Sequence, residues 1–136
     1  MGLFLVATGY EKSVSIGYIG FGSYRQNLAK SYNSEFGEIY EKWYKSGIFL
    51  NDKLTEFECN RWNEICDDDL DILLTHSDCD GTMSVSECRK VYKALKKIDF
   101  KPDVNSEWKE RLLRYHESVL DILLHCIKNR VILRFV

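Results

Sequence analysis

A small α+β domain is predicted for this chain, a short sheet drawn from both ends with about five helices packed on it. Three observations carry the prediction. Near the start, two short β-branched and aromatic runs, LFLVAT and SVSIGYI, are separated by Gly9 to Lys12. A similar run, VILRFV, occupies residues 131–136. Between them, capping signals recur and apolar residues return at helical spacing.

Taken in order, the two opening runs make a β-hairpin. After Gly20 and Gly22, Ser23 suits the N-cap of a helix through YRQNLAKSY, and a second helix covers FGEIYEKWYK and stops at Gly47. Thr55 and Glu58 have capping-box spacing, so a third helix starts there and turns Phe57, Trp62 and Ile65 inward. It extends toward LDILL, a run short enough to be a strand instead. Ser84 and Glu87 repeat the box before CRKVYKALKKI. There Val85, Cys88, Val91, Tyr92, Leu95 and Ile98 gather on one side, and Arg89, Lys90, Lys93, Lys96 and Lys97 on the other. Pro102 marks a break. The last helix, from Ser106 to Lys128, presents Trp108, Leu112, Leu113, Val119, Leu120, Leu123, Leu124 and Ile127 on a wide apolar face, with His116 inside it as a bonded core histidine. VILRFV then joins the hairpin.

At 136 residues and 45% apolar composition the chain predicts one domain, residues 1–136, burying roughly two-thirds of its unfolded surface. No apolar run approaches the ~18 residues needed to span a bilayer, and LFLVA lacks the basic flank and length of a signal peptide. A soluble, cytoplasmic protein without membrane partners is expected. Five cysteines at irregular spacing suit reduced thiols better than disulfides. Nineteen basic against twenty-one acidic residues give a formal charge of −2, which argues against nucleic acid as a partner. Glu64, Asp67, Asp68, Asp69 and Asp71 form an acidic run and the five cations after Cys88 a basic one, both expected to be solvated surface pairing within the fold.

The stretch THSDCDGTMSVSEC, Thr75 to Cys88, carries the densest chemistry. It resembles a degenerate single EF-hand loop. Counted from His76, Asp78 and Asp80 stand at the third and fifth positions, Gly81 at the sixth, Thr82 at the seventh, Ser84 at the ninth and Glu87 at the twelfth. A nitrogen ligand at the first position weakens any calcium site. Zinc is a second option, through His76, Cys79 and Cys88, but Cys59 and Cys66 are poorly spaced to close the site, Cys126 is remote and no CxxC occurs. The preferred reading is a turn without an ion. Asp78 and Asp80 accept from backbone amides, Gly81 takes positive φ, Ser84 and Glu87 cap the next helix, and His76 bonds to the loop backbone.

A second stretch, GYIGFGSYRQNLAK, offers strand, glycine turn and helix start, so free amides there form an anion site. Arg25 is placed to clamp a phosphate or carboxylate, with Tyr18, Phe21 or Tyr24 stacking on a ring and Ser23 at the cap. Neither phosphate-loop spacing is present, so a plain turn capped by Ser23 is the preferred reading over a nucleotide site. For catalysis the candidates are the pairs Cys79 with His76 and Cys126 with His125, whose adjacency in sequence does not give the geometry of a nucleophile and its base, and the acidic run, which lacks the Glu-x-x-His pairing of di-metal bundles.

YIGFGSYRQNLA, LLTHSDCDG with SEC, and a helix leading to a terminal strand together resemble a group of short bacterial and phage-borne proteins marked by the HSDCDG block. The resemblance covers most of the chain and implies a shared fold, with no activity attached. Val85 stands where the group favours proline. The function expected is a small cytosolic non-enzymatic binding protein, acting by occupying a partner protein or by sequestering a small anionic, nucleotide-like ligand, as immunity proteins and phage-encoded inhibitors do. Its contact residues are Tyr18, Phe21, Ser23, Tyr24 and Arg25 with Arg89, Lys93 and Lys97. An ion-binding module on His76 to Glu87, with Ca²⁺ or less favourably Zn²⁺, is the alternative, and a small hydrolase the second.

Overall fold

The computed structural model of the chain describes residues 3–49, 53–78 and 80–136. Along them follow β1 (Phe4–Val6), β2 (Val14–Ser15), α1 (Gly17–Tyr32), α2 (Ser34–Phe49), α3 (Glu56–Ile65), α4 (Asp68–Leu74), β3 (Thr82–Met83), α5 (Val85–Lys96), α6 (Ser106–Asn129) and β4 (Leu133–Phe135). Alternation builds the sheet. Leu5, Val14, Met83, Leu133 and Phe135 point into the core while Phe4, Ser15, Thr82 and Arg134 stay exposed, the period of two that a sheet with one covered face requires.

All pairings are antiparallel and the strand order is β2-β1-β4-β3. The two chain ends therefore lie side by side at its centre. Phe4 and Val136 exchange both backbone bonds, at 2.8 and 2.9 Å. The α+β class and the joining of the final strand to the hairpin match expectation. Strand β3, which adds an edge inside the HSDCDG stretch, does not appear in the sequence reading.

The helices pack on the covered face, and one apolar cluster links all of them to the strands, from Leu3 and Phe21 through Tyr40, Leu70 and Val91 to Leu123 and Phe135. Among the described residues no helix is long and apolar enough to cross a membrane. The capping boxes at Thr55 with Glu58 and Ser84 with Glu87 form as predicted, each side chain bonding the other residue's backbone N–H.

Three local expectations are corrected. Helix α1 starts at Gly17, so the second strand is cut short after Ser15, and Gly20, Gly22 and Ser23 lie inside the helix instead of forming a turn and a cap. Gly22 serves packing there, because a Cβ at that position collides with the Tyr44 hydroxyl on α2. The LDILL run is a separate helix, α4, because Asp67 breaks from α3 and accepts from Asp69 N–H at 2.9 Å as its N-cap. Phe57, expected inside, is 70% exposed, since the core-facing side of α3 is set by Trp62 and Ile65.

Candidate functional site

Helix α4 is only seven residues long, so its orphan carbonyls dominate its energetics. Thr75 satisfies Asp71 O through both its N–H and its hydroxyl. The rest comes from afar. Arg25 Nη1 on α1 donates to Leu73 O at 3.3 Å, Leu74 O at 3.1 Å and His76 O at 2.6 Å, and the Tyr40 hydroxyl on α2 donates to Leu74 O at 2.7 Å. A guanidinium at a helix C-terminus meets the negative end of the macrodipole. Thus the two stretches singled out in the sequence meet, with Arg25 anchoring the start of the HSDCDG loop.

Past this anchor the loop is held by its own groups. The His76 ring lies flat on Phe135 of β4, centroids 3.8 Å apart, with Nδ1 2.9 Å from Ser77 O and Nε2 3.0 Å from Thr82 O. Gly81 has φ +97°, and its carbonyl accepts from Phe135 N–H at 3.0 Å. The Ser77 hydroxyl donates to Asp80 Oδ1 at 2.8 Å, and Glu87 Oε1 accepts from Ser84 N–H at 2.9 Å while Ser84 Oγ accepts from Glu87 N–H at 3.1 Å. Of the six residues at EF-hand positions, His76, Asp80, Thr82, Ser84 and Glu87 each spend a polar group inside the fold. Asp78 instead lines a cleft with Arg25, Trp43, Tyr44 and His76. Cys79 lies outside the described residues. Among those described, no three His, Cys, Asp or Glu side chains gather as metal ligands do.

The expected anion site before Ser23 is corrected by the early start of α1, which places no helix N-terminus there. Phe21, Tyr24 and Arg25 are buried and Ser23 is half-buried on the helix, with its carbonyl accepting from Asn27 at 2.8 Å; Tyr18 alone of that set is exposed. Arg25 sits 4.4 Å from the centre of the Phe21 ring, an internal contact. The Tyr24 hydroxyl and His116 Nδ1 share a hydrogen bond of 2.7 Å, making His116 the bonded core histidine that the helical pattern predicts. Burial pushes the Tyr24 phenol well up and, together with the Lys96 charge, the His116 imidazole down to about 4.

The remaining nucleophile candidates are likewise engaged. His125 Nε2 lies 2.8 Å from Thr8 O and faces Tyr10, whereas Cys126 is buried against Cys88. A hydrogen bond to Cys126, with burial, holds the Cys88 thiol well above its ordinary range. Burial and Asp71 push the Cys66 thiol up to about 12. In the acidic run, Asp67 caps α4 and Glu64 pairs with Arg61 Nη1 at 2.6 Å.

The basic run behaves differently. Arg89, Lys90, Lys93, Lys96 and Lys97 are all exposed along α5, and no carboxylate of the described residues lies within ion-pair distance of any of them. Some cations elsewhere are partnered, as Lys42 is by Glu58 at 2.8 Å and Arg61 by Glu35 at 2.7 Å, whereas the α5 run sets five in a row without a carboxylate among the described residues. The opposite face of α5 is locked into the core by Cys88, Val91 and Leu95. Sequence reasoning picks out this face by its period but misses Trp43 and Tyr44 beside Arg25, which are scattered in sequence, and Arg111 and Arg114 on α6, whose spacing of three was the available signal. Comparison with protein-family models, with curated proteins and with solved structures finds no match.

Proposed function

We propose that this chain is a small non-enzymatic binding protein that acts by occupying an acidic partner protein through the outer face of α5, in the manner of immunity proteins and phage-encoded inhibitors. The observation that carries this reading is the row of five cations, without an ion-pair partner among the described residues, on a helix whose other side is fixed in the core. Within a chain of net charge −2, cations left without internal partners form a local positive field that steers an oppositely charged surface and sets its register. The engagement of each imidazole and of the Cys88 and Cys126 thiols in holding the fold supports recognition over chemistry.

The test is affinity purification of the intact protein from its host at low salt, beside the triple variant Arg89→Glu, Lys93→Glu, Lys97→Glu. A protein retained by the parent, released by raised salt and absent from the variant is the expected result. Nuclease treatment before capture distinguishes a nucleic acid bridge. Capture that is indifferent to charge reversal, or abolished by nuclease, overturns the reading.

A further inference from the structure

Four residues of α6, Arg111, Arg114, Tyr115 and Ser118, are spaced to share one side of the helix. That side lies over β2 and closes, with Ser13, Ser15 and Ile16, a cleft of about 270 Å³. No carboxylate lines it. Arg111 has no ion-pair partner among the described residues and is held with its guanidinium 4.4 Å from the centre of the Trp108 ring. Arg114 has only a 3.9 Å approach to Glu110, with both side chains at least 70% exposed, an arrangement worth little in water.

The strand contributes donors too. Because Phe4 directs both backbone groups at Val136, the next residue, Leu5, directs its own at Val14. Ser15 therefore turns its N–H toward the free edge of the sheet, and β2 is an edge strand in the order β2-β1-β4-β3. The hydroxyls of Ser13 and Ser15 make no hydrogen bond to the described residues.

The geometry points to a site for a phosphate group, free or on a small organic molecule, between α6 and the edge of β2. Planar guanidiniums beside hydroxyl and edge N–H donors match a tetrahedral oxyanion. Ile16 and the Tyr115 ring leave an apolar wall for an attached carbon skeleton, and the cleft is below the roughly 300–1,000 Å³ of pockets that hold drug-sized ligands. The site is separate from the α5 face and stands without it.

Titration of inorganic phosphate into the intact protein at low ionic strength, followed by backbone amide NMR, tests this. Saturable shifts concentrated at residues 13–16 and 111–118 are expected, with affinity falling about tenfold in Arg111→Gln and again in Arg114→Gln. Lys109→Gln removes the same charge from the opposite side of the same helix and leaves affinity within about twofold. Phenyl phosphate binds more tightly than inorganic phosphate if the natural ligand is an organic phosphate, and equally if it is the free ion. All three substitutions are at exposed helix positions, so an unchanged circular dichroism spectrum accompanies them. Shifts that are absent, that map to α5, or that weaken equally in Lys109→Gln overturn the proposal.

Discussion

Arg25 is a cation only 4% exposed, and among the described residues no carboxylate pairs with it. Burying a lone guanidinium is costly unless other dipoles replace water, and here the terminal carbonyls of α4 do so. Removing it strips one anchor from Leu73, Leu74 and His76 together. Arg25→Met is expected to lower unfolding free energy by about 2–4 kcal/mol in urea titrations, and Arg25→Lys to recover little, because an ammonium lacks the planar fork. A loss below about 1 kcal/mol would show that water replaces the anchor. His116 makes a second residue-scale prediction. Its imidazole titrates at about 4 in the folded protein against an ordinary 6.5, so the unfolded chain binds the extra proton first. Its contribution, on the order of 2–3 kcal/mol, is fully present above pH 6.5 and fades as pH falls toward 4. Denaturation midpoints measured across that window should fall more steeply in the parent than in His116→Gln, whose amide does not titrate and carries both a donor and an acceptor for the Tyr24 hydroxyl.

At the scale of elements, the HSDCDG loop shows what local pattern reveals and what it hides. The cap at Ser84 and Glu87 and the positive φ at Gly81 were legible, because capping and glycine turns are settled within a few residues. Strand β3 was not: its partners Leu133 and Arg134 lie some fifty residues away, and two residues carry no visible alternation. The start of α1 was missed for a related reason. Glycine argues locally for a turn, but Gly22 is required by Tyr44, a contact supplied by another helix. The loop's hydrogen bonds lead to a direct expectation. Since His76, Thr82 and Glu87 are bonded within the fold, millimolar Ca²⁺, Zn²⁺ or a chelator should move the melting temperature by less than about 1 °C. A rise with either ion that vanishes in Asp80→Ala returns the loop to coordination. Gly81→Ala, by contrast, forces a Cβ into left-handed backbone 3.2 Å from His76 Cε1. It should cost about 1–2 kcal/mol and speed amide exchange at Phe135, whose N–H bonds Gly81 O.

Across the whole molecule, both chain ends meet at the centre of the sheet while charge separates around it. The class and the meeting of the ends were legible because β-branched runs flank helical periodicity. The candidate sites were legible only on α5, where one helix carries the whole pattern, and not at the α6 cleft, which needs β2 to complete it. On α5, Arg89, Lys93 and Lys97 follow at spacings of four, so like charges repel along one side of the helix. A helix shaped for stability alone would alternate signs there. Arg89→Glu removes one repulsive pair, sets an acid four residues before Lys93, and lies nearer the helix N-terminus, where negative charge is favoured. It should therefore raise stability by about 0.5–1 kcal/mol at low salt, a gain that shrinks as salt screens it, while weakening capture of the acidic partner. Opposite signs for stability and binding separate a face kept for recognition from one that is merely solvated; a variant that gains stability and keeps every partner would identify the cations as ordinary surface.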